Sequence, residues 1–197
     1  MPRLRYIESN EKTPEIAGLI AEAEAKGAPD PRIASIVTRS SAGLGWLRYW
    51  NALLYEGQVP HKLKEMCRLY ISVAHQCGYC STVRSVKARG EGLTEDSVAE
   101  LWTFEQSARF SPREKAALRY AKRFKEDDVA NDAAYDDLKR HFTDEEIIEL
   151  GMVCAQTLGV GMFAKSMGVV SWEEACELNP RLRDPLPAAA ESAAARA

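Results

Sequence analysis

Signals that start an α-helix recur along the whole chain, and no two segments read as paired strands. Thr13-Pro14-Glu15 offers a capping hydroxyl, a proline at the first helical position and an acid in the first turn. Ser111-Pro112-Arg113-Glu114 is a capping box with proline inside it, and Ser171-Trp172-Glu173-Glu174 repeats the pattern. Leu93 to Leu101 and Phe142 to Leu150 share one layout: an apolar residue, a Thr cap, acids, then an apolar turn, which is a hydrophobic staple used twice. Periodicity then predicts helices over 14–26, 31–38, 43–56, 60–75, 79–90, 95–107, 112–125, 132–140, 144–166 and 172–177. The fold class that follows is all-α.

Chain length and composition set the outer limits. At 197 residues one domain is the default, here 1–178. Gly27-Ala28-Pro29-Asp30-Pro31 breaks the chain after the first helix. From Asn179 the composition turns to Pro, Arg and Ala, and 179–197 is expected to be a tail, disordered from Leu186 onward. A net charge of −3 with scattered basic residues leaves no footprint for nucleic acid. No apolar run approaches the ~20 residues of a membrane span, and Met1 to Lys12 is charged and lacks a signal-peptide core, so a cytoplasmic protein without a membrane partner is expected.

Five cysteines are present: Cys67, Cys77, Cys80, Cys154 and Cys176. An odd count argues against a disulfide framework, and the isolated three read as small buried hydrophobes. Cys77-Gly78-Tyr79-Cys80 is different, because two thiols at this spacing meet across one helical turn and can close and reopen a small ring. The first cysteine is expected at the cap of a helix and the second one turn in, where exposed N–H groups favour the thiolate. Half a zinc site is the competing reading. Structural zinc takes about four ligands, however, and the chain has no second Cys-x-x-Cys and only His61, His75 and His141 as imidazoles. No metal and no cofactor are therefore expected; there is no Gly-x-Gly-x-x-Gly and no Cys-x-x-Cys-His.

Two further segments bear on a site. In 60–75, Leu63, Met66, Cys67, Tyr70, Val73 and Ala74 share one face, and Glu65 lies on the other with Leu69, Ser72 and Gln76. By periodicity alone Glu65 reads as a solvated surface acid. Segment 43–56 concentrates Trp46, Tyr49, Trp50 and Tyr55 among leucines, which reads as a core helix, a subunit interface or a pocket wall.

The stretch Pro60 to Leu101 resembles the carboxymuconolactone decarboxylase and alkylhydroperoxidase D-like superfamily. The matching pieces are Leu63-Lys64-Glu65, an apolar helix, Cys77-Gly78-Tyr79-Cys80 with Glu65 twelve residues before Cys77, and Gly92-Leu93-Thr94-Glu95-Asp96. The likeness continues through Ser111 to Leu118 and Phe142 to Leu150 and covers a family-like core over about 40–170. The resemblance implies an all-helical, homo-oligomeric bundle, a trimer or hexamer. In the redox branch it further implies that Cys80 attacks a peroxide, Cys77 resolves the sulfenic acid to a disulfide, and Glu65 assists proton removal. Arg84 stands where that branch usually has a histidine, and Tyr79 where its peroxidase members commonly have another. Arg84 can support a thiolate electrostatically, Tyr79 can donate a hydrogen bond, and His75 can supply an imidazole if a turn at Gly78 brings it back. The expected partners are a small-molecule peroxide or other small substrate and a thiol reductant. The alternatives are a decarboxylase-like lyase acting on a small cyclic or aromatic acid, or a non-catalytic helical oligomer.

Overall fold

The structure is a computed structural model that describes residues 2–28, 32–126, 128, 130 and 132–183. Among them every regular element is helical: α1 (Pro14–Ala25), α2 (Arg32–Val37), α3 (Ser41–Tyr55), α4 (His61–Ala74), α5 (Gly78–Thr82), α6 (Val86–Gly90), α7 (Glu95–Ala99), α8 (Pro112–Glu126), α9 (Asp132–Lys139), α10 (Asp144–Met167) and α11 (Trp172–Leu178). The caps fall where the sequence puts them. Thr13 accepts from the Ile16 amide, Ser111 and Glu114 bond each other's backbone, and Thr143 and Glu146 form a full capping box.

α4 is the axis of the bundle. It packs on α8 and α10, and its residues Lys64 to Val73 are all buried. Its apolar face, with Leu63, Met66, Cys67 and Tyr70, enters the main core beside Leu101, Leu118 and Leu150. The opposite face does not meet water, which corrects the reading of Glu65 as a surface acid: Glu65 is 2% exposed. Burying that polar face requires internal partners. Lys64 supplies one set, donating Nζ to the carbonyls of Leu53 (2.8 Å) and Glu56 (2.5 Å) and pairing with Glu149 of α10. This ties the end of α3 and the N-terminal part of α10 to the central helix.

Two predicted helices and the expected tail differ from the sequence reading. The run 79–90 is broken at residues 83–85, because the carbonyls that would continue α5 are taken by arginines: Cys80 and Val83 accept from Arg68, Ser81 and Val83 from Arg84. Ser85 then caps α6 by accepting from the Ala88 amide. The run 95–107 stops after a 3-10 turn at Glu100–Thr103, where the Glu100 carboxylate turns back to Ser107 and Arg109. At the other end the chain stays ordered beyond the expected boundary at Asn179: Pro180–Leu182 form a 3-10 turn with Leu182 2% exposed. The expected disordered segment from Leu186 lies outside the described residues.

α10 corrects one more expectation. It is long and apolar enough to match a membrane-crossing helix by length and composition, although the sequence shows no such run at first reading. Its inner residues Ile147, Leu150, Val153, Cys154, Thr157, Gly161 and Ala164 are buried in the bundle. The isolated cysteines Cys67, Cys154 and Cys176 are free and buried, as expected.

Candidate active site

The chain leaves α4 through a sharp turn at Gln76, whose φ of 56° lies in the left-handed region. That residue makes the break before the cysteine pair, and Gly78 does something else. A Cβ on Gly78 would lie 2.2 Å from the Ser171 carbonyl oxygen and 2.5 Å from that of Val170, so the glycine lets α5 press onto the turn before α11. Cys77 is the cap of α5, and its Sγ accepts from the Cys80 amide at 3.2 Å. The two cysteines are joined as a disulfide with Cα atoms 5.3 Å apart. They are unequal: Cys77 is 0% exposed, whereas Cys80 is only partly buried and reaches a cavity.

That cavity, about 140 Å³, lies between α3, α4, α5 and α10. α3 contributes Trp46, Leu47, Trp50, Leu54 and Tyr55, with the two tryptophans stacked at 5.8 Å. The inner face of the aromatic segment therefore serves both as core, with Leu47 and Leu54 buried, and as a pocket wall. α4 contributes Glu65, Arg68 and Ser72, one turn apart in succession, and α10 contributes Gln156, Thr157, Val160, Gly161 and Ala164. Tyr79 and Cys80 close the side formed by α5. The structure thus brings together Glu65, Tyr79 and Cys80 from the predicted set.

Glu65 is held by Arg68 in a two-point contact, Nε to Oε1 at 2.7 Å and Nη2 to Oε2 at 2.9 Å. The same guanidinium donates to the Cys80 carbonyl (2.8 Å) and the Val83 carbonyl (3.0 Å). Burial alone would depress the Arg68 guanidinium, but attraction and hydrogen bonds from Glu65 outweigh it and leave the group above its ordinary value. The cation therefore stays charged and links the carboxylate to the backbone of the sulfur-bearing turn. Arg68 escaped the sequence reading, although Glu65-x-x-Arg68 on a helix otherwise destined for the core was a visible sign that the two satisfy each other.

The other two candidates lie elsewhere. Arg84 pairs with Glu95 (2.8 and 3.3 Å) and lines a separate shallow cleft with Thr94 and Arg181, so its charge is spent away from the cavity. His75 caps the end of α4 and packs on Gly161, where a Cβ would stand 2.4 Å from its Nε2; the left-handed turn follows it and carries the chain on without returning the ring to the cavity. Two other residues matter more: Ser72, which periodicity placed only on the stripe of Glu65, and Thr157, which the sequence did not single out. The hydroxyls of Ser72 and Thr157 are buried, line the cavity and have no hydrogen-bond partner among the described residues. No cluster of three or more metal-ligating side chains occurs among the described residues.

Comparison with known proteins agrees with this architecture. Residues 40–123 match the profile of the Carboxymuconolactone decarboxylase family. An uncharacterized protein of Mycobacterium tuberculosis is 34% identical over 88 residues, 44% of this chain and 31% of that protein, so the match spans about a third of the curated relative's length. Among solved structures, the debrominase Bmp8 superposes with a TM-score of 0.75 at 16% identity, covering 90% of this chain and 96% of that one. A cysteine variant of the same debrominase was solved in complex with 2,3,4-tribromopyrrole. The alkylhydroperoxidase AhpD core of a peroxidase-related protein from Ralstonia eutropha JMP134 superposes with a TM-score of 0.67 at 22% identity, covering 88% of this chain and 94% of that one. At these identities the solved structures share the fold with this chain.

Proposed function

We propose, for a chain that belongs through residues 40–123 to the carboxymuconolactone decarboxylase and AhpD-like superfamily, a thiol–disulfide oxidoreductase that consumes a small peroxide. The observation that carries this reading is the inequality of the pair: Cys80 reaches the cavity beside Glu65, and Cys77 is fully buried behind it within bonding reach. In the reduced protein the Cys80 thiol passes its proton to Glu65, and the sulfur attacks one peroxide oxygen. The O–O bond breaks, and the other oxygen leaves as water or an alcohol with a proton taken back from the carboxyl. Cys77 then attacks the sulfenic sulfur, water departs and the disulfide closes. An external dithiol restores the pair by exchange. Such a cycle needs a reducing surrounding, so we place the protein in the cytoplasm, served by a thiol reductant.

Thiol trapping before and after one equivalent of hydrogen peroxide tests the reading. Cys80→Ser abolishes peroxide consumption; Cys77→Ser keeps the first turnover and accumulates sulfenic acid on Cys80. Equal loss of the first turnover in both variants rejects the assignment. The lyase reading draws support from Glu65 in an apolar cavity, and it requires no sulfur, so full activity of Cys80→Ser on a small cyclic acid would favour it.

We further propose that the chain works as a homo-oligomer. Support comes from α10, whose outward face exposes Ile148 (67%), Met152 (40%), Met162 (54%) and Phe163 (47%), with Ala155 and Gly159 exposed between them. The stripe follows a heptad-like spacing. Antiparallel pairing with a second copy about the helix midpoint sets Met152 over Gly159, Ile148 against Phe163, and Asp144 and Glu145 near Lys165, so size and charge are both complementary. A two-fold contact of this kind occurs in a hexamer built from two trimers and is absent from a lone trimer.

A further inference from the structure

The cavity beside Cys80 carries more polar chemistry than the thiol cycle uses. Resting on Cys80 as the reactive sulfur, we propose that this cavity selects an uncharged, single-ring molecule bearing one hydroxyl or N–H group, which Ser72 and Thr157 hold against Cys80.

Three observations lead there. The first is size and wall. An apolar cavity of about 150 Å³ accommodates benzene, and this one, about 140 Å³, is walled by Trp46, Trp50, Leu47, Leu54, Val160 and Ala164. Flat aromatic and branched aliphatic walls favour a planar ring over a polar or extended guest. The second is charge. Among the described residues of the wall, Glu65 and Arg68 balance each other, and Lys26 at the rim is already engaged by Glu22 at 2.5 Å. An anionic guest would meet the Glu65 carboxylate with no free cation to compensate, and a cationic one would displace Arg68.

The third observation is the pair of orphaned hydroxyls. Ser72 is 0% exposed and Thr157 4% exposed, on two different helices that both border the cavity, and neither hydroxyl has a hydrogen-bond partner among the described residues. Buried polar groups are nearly always satisfied, so two unsatisfied hydroxyls on one cavity mark the place of a guest that supplies the missing bonds. Each hydroxyl can donate and accept. A ring hydroxyl or ring N–H meets both needs while the ring covers the apolar wall.

Calorimetric titration of the disulfide form tests this without any thiol chemistry, so its outcome is separable from that of the peroxide reaction. The probes are phenol, toluene, benzoate and 4-phenylphenol. Phenol binds at least about fivefold tighter than toluene, the worth of roughly one net hydrogen bond. In the double variant Ser72→Ala, Thr157→Val that preference falls to near one with toluene affinity unchanged. Benzoate and 4-phenylphenol bind at least tenfold more weakly than phenol, by charge and size respectively. Ala164→Leu, which fills the cavity, abolishes binding of phenol and toluene alike. Absence of phenol binding, benzoate binding as tightly as phenol, an undiminished phenol preference in the double variant, or wild-type phenol affinity in Ala164→Leu would each overturn the proposal.

Discussion

Arg68 holds Glu65 from one turn further along α4, guanidinium edge to carboxylate edge, with contacts of 2.7 and 2.9 Å and both side chains almost fully removed from water. Such a pair is costly to break from one side, because the survivor is left as an uncompensated buried charge. Arg68→Met should therefore destabilise the fold by about 3–5 kcal/mol, while Glu65→Leu combined with Arg68→Met should recover much of that loss. Urea unfolding of the wild type, the single variant and the double variant gives the comparison. A double variant no more stable than Arg68→Met alone would show that the pair acts through more than mutual charge balance.

The orphaned hydroxyls make an opposite prediction. An unsatisfied buried hydroxyl carries a desolvation penalty of about 1–3 kcal/mol, so Thr157→Val, which keeps the shape, should raise stability. At about 2–4 °C per kcal/mol for a chain of this size, thermal unfolding should move upward by several degrees in the ligand-free protein. A lowered midpoint would mean that Thr157 has a partner that the unliganded fold supplies. Gains in stability from removing a group that lines a cavity are what a binding role leads one to expect.

His75 gives a pH dependence. Burial pushes its imidazole below the ordinary 6.5, with Lys165 nearby acting in the same direction. A depressed histidine is neutral in the folded state over a range where the unfolded chain binds a proton. Stability therefore rises with pH across that range and is lost as pH falls from about 6.5 through the folded value. Lys165 donates to the His75 carbonyl at 2.9 Å, and Gly161 of α10 meets the Nε2–Cε1 edge of the ring with no side chain. His75→Phe should flatten the loss of stability between pH 6.5 and 5 in denaturant titrations. An unchanged slope would assign it to other groups.

Much of this was legible in the sequence, and what was missed has a common cause. Helix starts at Thr13, Ser111, Thr143 and Ser171 were readable because a capping hydroxyl acts on amides within its own turn. The break at residues 83–85 was hidden because the competing donor, Arg68, sits 15 residues from Val83. Glu65 was misplaced by periodicity for a related reason: a polar stripe predicts solvent only if no other helix covers it, and α3, α5 and α10 do. Ser72 and Thr157 could not be found as a pair at all, since only the packing of α4 beside α10 brings them to one cavity.

The outer face of α10 predicts the behaviour of the chain in solution. Light scattering of the wild type in reducing buffer should give a multiple of 21.9 kDa, the mass of one chain. Met152→Glu with Met162→Glu should shift that mass toward the single chain with little change in the fold of each subunit, since both side chains are exposed within one chain. A wild type that runs as one chain at every concentration rejects the assembly.

Gly78 sets a limit on how the redox pair can change. The two residues enclosed between the sulfurs are the nearest places at which a side chain could tune the ring's reactivity, yet Gly78 abuts the carbonyls of Val170 and Ser171 with no room for even one carbon. Tyr79 is thus the sole adjustable position inside the motif. Altering the other would first demand a different path for the chain where α10 hands over to α11, so the chemistry of this pair and the geometry of a segment some ninety residues away can vary only together.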